Sequence, residues 1–217
     1  MPFDPVADFT PVALVAATPL AIAVHPALPA TDLKSLLALA RQAPERLNVA
    51  SFGNGTIAHL ASELLQSMAG VTMTHVPYKG ATPAMTDLIA GQVQLAFDSA
   101  SSALVPARAG RVRLIAVTST RRIEAAPDVP TVAEAGVPGY EAVTWFGLLG
   151  PANLPASVVA TLSGRLATLL AQPGLRADLI AQGNEPRSGR ADDLASVLAS
   201  DYAKWAKLAR EIRLKLD

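Results

Sequence analysis

The chain of 217 residues contains no cysteine, which excludes disulfides, zinc-thiolate sites, iron-sulfur clusters and thiol nucleophiles. A cysteine-free protein suits any redox compartment. Charge of either sign is scarce: 18 basic and 18 acidic residues cancel, so no basic field attracts nucleic acid. Aromatic residues make up only 5%, against 51% hydrophobic residues overall, which disfavours a stacking platform for oligosaccharide or single-stranded nucleic acid. Long apolar runs are also lacking. Val12 to Val24 spans 13 residues and is broken by Thr18 and Pro19, whereas a membrane-crossing helix needs about 20. It does not read as a signal peptide either, because Asp4 and Asp8 precede it and no Lys or Arg occurs before Lys34. The three histidines, His25, His59 and His75, stand 34 and 16 residues apart, without metal-ligand spacing, so neither metal nor cofactor is expected.

What is present is a core of Ala, Leu and Val arranged in alternating strand and helix patterns. Val12 to Ala16 and Leu20 to His25 are predicted as two strands divided by Pro19. A helix capped by Thr31 follows, with Leu33, Leu36, Leu37 and Ala40 on one face. Then come a strand at Leu47 to Ser51, a helix from about Thr56 ended by Gly70, and a strand at Val71 to Val76. Ala84 to Ala90 form a short helix closed by Gly91, and strands are predicted at Val93 to Phe97 and Val112 to Thr118. Pro127 to Tyr140 reads as a long ordered connection with one helical turn after Thr131. After a strand at Thr144 to Gly150, helices dominate. They comprise a helix after Pro155, a short one at Leu175 to Gln182, and a last one with Leu194, Val197, Leu198, Tyr202, Trp205, Leu208 and Ile212 on one stripe. The fold class is α/β.

The segment Ser51-Phe52-Gly53-Asn54-Gly55-Thr56 joins a strand to a helix through two glycines, where backbone amides lack partners and the helix end favours an anion. The same residues also suit a plain tight turn with Thr56 as N-cap. The turn has neither the lysine of a phosphate loop nor the three-glycine dinucleotide spacing, so a small carboxylate fits it better than a nucleotide. Tyr78-Lys79-Gly80 and Asp98-Ser99 also follow strands, where α/β sheets present ligand-facing loops. Taken singly, Lys79 suits a solvated loop, Asp98 a turn cap, and His59 a structural contact to the loop before it. Hydrolysis by Ser51, His59 and Asp98 is disfavoured because no serine occupies a Gly-x-Ser-x-Gly elbow. The chain is not expected to be an enzyme.

These segments together are recognisable. Phe9-Thr10-Pro11-Val12, the glycine turn with His59-Leu60, His75-Val76-Pro77-Tyr78-Lys79-Gly80, Phe97-Asp98, Ala116-Val117-Thr118-Ser119, Pro127 through Gly136 and Trp145-Phe146-Gly147-Leu148 resemble the Bug (TctC-like) family, in order and over nearly the whole chain. The resemblance implies extracytoplasmic, periplasmic solute receptors of tripartite tricarboxylate transporters. It implies a two-lobed fold of the type II periplasmic-binding-protein kind that captures small organic acids between its lobes and works with membrane transporter subunits. By that resemblance the ligand-holding positions are Ser51, Gly53, Asn54, Gly55, Thr56 and His59, then Tyr78, Lys79 and Gly80, then Asp98 and Ser99. Residues 24 to 146 would form the second lobe, and residues 1 to 23 with 147 to 217 part of the first. Family members carry an export signal and an early strand with a Pro- and Gly-rich loop that have no counterpart here, so the first lobe is expected to be incomplete. An exposed apolar face would then favour self-association covering Leu194, Tyr202 and Trp205, and a shortened interaction protein is the alternative function.

Overall fold

The computed structural model describes residues 3 to 187 and 189 to 214. The chain divides into two compact units, one made of residues 1–18 and 145–207 and the other of 19–144 and 208–217. The long strand β1 (Phe9–Val24) and the strand β6 (Val143–Pro151) each contribute residues to both units.

The second unit is built on the sheet order β3-β2-β4-β1-β5, with β2 (Asn48–Ser51), β3 (Thr74–Pro77), β4 (Leu95–Ser99) and β5 (Arg113–Val117). β2 runs parallel to β3 and β4, while β1 is antiparallel to both β4 and β5. The helices α1 (Leu33–Gln42), α2 (Ile57–Ala69), α3 (Ala81–Ile89) and α4 (Ala100–Arg108) connect these strands. In α1 the expected face of Leu33, Leu36, Leu37 and Ala40 is buried, but its cap is Asp32 rather than Thr31. Asp32 accepts from the Ser35 amide and Ser35 returns a bond to the Asp32 amide, a reciprocal capping box. The core holds Leu20, Ile22, Leu36, Leu65, Leu88, Leu95 and Phe97, each no more than 1% exposed. Tyr140, also buried, donates its hydroxyl to the Ala61 carbonyl at 2.8 Å and so ties the long connection to α2.

Two prolines depart from the expected pattern for identifiable reasons. Pro19 does not divide two strands: β1 is continuous, and Pro19 falls between the stretch paired with β7 (Glu185–Pro186) through Ala16 and Ala17 and the stretch paired with β4 and β5 from Leu20 onward. A residue without an N–H is tolerated where the ladder changes partner. α4 was not anticipated, because Pro106 lies inside it. Its stability comes from the Ser99 cap and from packing of Ala100, Ala103 and Leu104 against Ala21, Val117 and Ile123.

The first unit packs α5 (Ala156–Leu170), α6 (Pro173–Ala181), β7 and most of α7 (Ala191–Glu211) with the start of β1 and most of β6. Thr10 Oγ1 donates to the Pro151 carbonyl at 2.9 Å and Trp145 Nε1 donates to Asp201 at 2.8 Å. Leu194 needs no covering partner, contrary to expectation, since it is fully buried against Gly147, where a Cβ would lie 2.6 Å from its Cδ1. Tyr202 on the same helix is exposed, and further exposed apolar residues of this unit are Phe3 and Val6, Val158, Leu162 and Leu169 on α5, Leu175 on α6, and Phe146 and Leu148 on β6. No described helix is long and apolar enough to cross a membrane.

Candidate functional site

All the sequence-predicted site residues fall within the second unit. Because β2, β3 and β4 are parallel, with Ser51 paired to Pro77 and Ala50 to Ala96, the loops after them leave one edge of the sheet side by side. The Tyr78 amide extends this pairing by donating to the Ser51 carbonyl at 2.9 Å. β5 also runs parallel to β4, since both oppose β1, so Thr118 and Ser119 reach the same edge. Both are buried, and the Thr118 hydroxyl donates to the Leu20 carbonyl and accepts from its amide.

The glycine turn is tightly self-bonded. Gly53 (φ 137°) and Gly55 (φ 71°) adopt backbone that favours glycine. The Gly53 amide donates to Ser51 Oγ at 3.2 Å, the Gly55 amide to His59 Nδ1 at 3.1 Å, and Thr56 Oγ1 to the Gly53 carbonyl at 2.7 Å. Thr56 occupies the N-cap position of α2 but makes no side-chain cap bond. The first-turn amides of α2 have no partner within the helix, whereas those of Gly53 and Gly55 are bonded inside the turn.

His59 is structural toward the turn, as its position in the helix suggested. Its ring stacks on His75 at a centroid distance of 3.7 Å and an interplanar angle of 4°. His75 was not singled out, because a β3 residue meets an α2 residue only through the fold. Its Nε2 lies 2.6 Å from Ser51 Oγ. That pair resembles a nucleophile and its base, but Ser51 is fully buried and its hydroxyl is spent within the turn. Burial lowers the pKa of both imidazoles, and the neighbouring His59 charge adds to the effect on His75, bringing it to about 4. Glu63 Oε1 lies 3.8 Å from His59 Nε2, and burial raises the Glu63 pKa.

On the neighbouring loops, Tyr78 donates its hydroxyl to Asp87 at 2.8 Å. Burial first, and then the bond to this carboxylate, push the phenol up to about 12. Asp98 and Ser99, expected to follow the strand, are the last two residues of β4 and pair with Ala21 and Leu20. Asp98 is buried, accepts from the Ser99 amide at 2.7 Å and the Ser102 hydroxyl at 2.6 Å, and has its pKa raised by burial against the pull of those two bonds. Ser99 caps α4, while Lys79 is exposed and Gly80 has open space beside its Cα. Among the described residues, no group of three His, Asp or Glu side chains is placed to hold a metal ion.

Residues 1–214 match the family model described as the tripartite tricarboxylate transporter family receptor. A protein encoded in the tcbD-tcbE intergenic region of Pseudomonas sp. strain P51 is 40% identical over 100% of this chain, which covers 65% of that relative. The BugT protein of Bordetella pertussis is 30% identical over 100% of this chain and 66% of its own. The chain thus spans a little under two thirds of the length of these relatives. Among solved structures, Rpa4515 of R. palustris with adipate is 36% identical at a TM-score of 0.85, covering 99% of this chain and 72% of that one. MatC of Rhodopseudomonas palustris with bound malate is 31% identical at a TM-score of 0.79, covering 95% and 71%. The periplasmic binding protein BugD is 30% identical at a TM-score of 0.79, covering 98% of this chain and 72% of that one. The chain belongs to the TctC family of tripartite tricarboxylate transporter receptors.

Proposed function

We propose that the chain captures a small mono- or dicarboxylate at the sheet edge formed by Ser51, Gly53, Asn54, Gly55, Thr56 and His59, by Tyr78, Lys79 and Gly80, and by Asp98 and Ser99. The observation that carries this reading is the convergence of three parallel strand ends on one edge, one of them opening into the uncapped first turn of α2. The adipate and malate seen in related receptors support a dicarboxylate of four to six carbons as the ligand class. In this reading the acid is held by α2 amides and loop donors, with Asp98 excluding a second anion from the β4 side, and no bond is made or broken. Family membership supports a periplasmic setting and delivery of the acid to membrane transporter subunits.

A thermal-shift screen with malate, adipate and non-acidic isosteres tests the reading. The acids are expected to raise the melting temperature and the isosteres to leave it alone. Equal shifts with both, or none with either in folded protein, would remove carboxylate capture from the account.

A further inference from the structure

The stacked histidines beneath the glycine turn both hold it in place. His59 Nδ1 accepts the Gly55 amide, so in the folded chain this nitrogen carries no proton and the neutral ring carries its proton on Nε2, toward Glu63. His75 braces Ser51 Oγ, which in turn accepts the Gly53 amide. A proton added to His59 Nδ1 removes the only lone pair that bonds Gly55. The amide is then released, and a positive charge stands beside the turn. Glu63 from α2 is the titratable group facing the pair, and its carboxylate supports a cation on His59. Once His59 is charged, stacking at 3.7 Å opposes a second proton on His75.

We infer that His59 and His75 form a proton-linked latch on the glycine turn, in which the neutral pair withholds the Gly55 amide and proton uptake at His59 frees it for an anion, with His75 as a positioning residue acting through Ser51. The consequence for binding rests on the carboxylate reading above, whereas the latch does not. It differs from a merely structural role, because a packing histidine would not tie one backbone amide to pH.

Backbone amide NMR of the ligand-free chain between pH 8 and pH 5 tests it. The Gly55 amide signal is expected to titrate together with the His59 ring. In His59→Asn, whose side-chain oxygen replaces Nδ1 as a non-titrating acceptor, that signal stays fixed. In His75→Phe, which keeps a stacked ring but loses the brace on Ser51, hydrogen exchange at the Gly53 amide is expected to quicken by roughly tenfold. With malate as probe, the ratio of affinities at pH 5.5 and 7.5 is expected to be roughly threefold larger in the native chain than in His59→Asn, malate's own titration being common to both. A Gly55 signal that ignores the His59 titration, or one that still moves in His59→Asn, overturns the latch. Unchanged exchange at Gly53 in His75→Phe removes His75 from it. Malate that binds at neither pH, beside a titrating Gly55 signal, defeats the carboxylate reading and leaves the latch standing.

Discussion

Gly53 holds φ at 137°, and a Cβ there would sit 3.5 Å from the Tyr78 carbonyl and from Thr56 Cγ2, ordinary contact distances. The penalty for a side chain is therefore backbone strain rather than collision. Gly53→Ala is expected to cost about 1–3 kcal/mol, read as a lower melting temperature. The buried histidines make a second prediction. Unfolded imidazoles titrate near 6.5, while in the fold His59 is depressed and His75 falls to about 4. Above pH 6.5 neither state binds these protons and their contribution to stability is complete. From pH 6.5 down to about 4 the unfolded chain takes up protons that the folded chain refuses, so stability declines. Asp98 and Glu63, with raised pKa values, act in the opposite direction as they protonate. The comparison that isolates the imidazole is the change in melting temperature from pH 7.5 to 5 in the native chain and in His75→Phe. The native chain is expected to lose more by on the order of 1 kcal/mol, after allowance for a half-buried ring.

At the scale of elements, two contacts between distant segments fix the architecture. Gly147 on β6 lies under Leu194 of α7, so Gly147→Ala forces a Cβ into a side chain 2.6 Å away and is expected to destabilise the first unit by about 1–3 kcal/mol. Thr118 satisfies both backbone groups of Leu20 in β1, and Thr118→Val leaves a buried amide unpaired at a cost of about 1–3 kcal/mol in chemical denaturation. The helices α1 and α2 were legible because apolar spacing and a glycine stop write them into the chain: Leu33, Leu36, Leu37 and Ala40 mark one face, and Gly70 closes α2 in the left-handed region, while Asp32 rather than Thr31 caps α1 and Thr56 caps α2 without a side-chain bond. The unbroken run of β1 through Pro19 was not legible, since only the change of pairing partner makes the missing N–H harmless. α4 was hidden by Pro106, whose local cost is offset by burial that no local pattern announces. The glycine turn and the loop after β3 could be placed from sequence, but the turn's occupied amides could not, and Asp98 and Ser99 belong to β4 rather than to the loop after it. Ser51 and His59 reach those amides through local geometry, and His75 joins them only across the fold.

For the whole molecule, the family is fixed by a match over residues 1–214, while the chain covers 65% and 66% of the two curated relatives described above. Within the first unit, Val158, Leu162 and Leu169 leave the α5 face exposed. Such a patch is expected to bind a hydrophobic dye such as ANS, and Leu162→Ser with Leu169→Ser to reduce the dye fluorescence without loss of helix content. In the proposed function the described part of the carboxylate site is the sheet edge of the second unit. The most direct test of carboxylate capture is isothermal titration of malate and of adipate into the folded native chain and into Gly53→Val at pH 7.5. The expected result is saturable one-to-one binding of at least one acid to the native chain, with affinity lowered at least about tenfold in Gly53→Val as the turn is distorted. No heat from either acid in the native chain, or equal affinity in the variant, would contradict a carboxylate site at this turn.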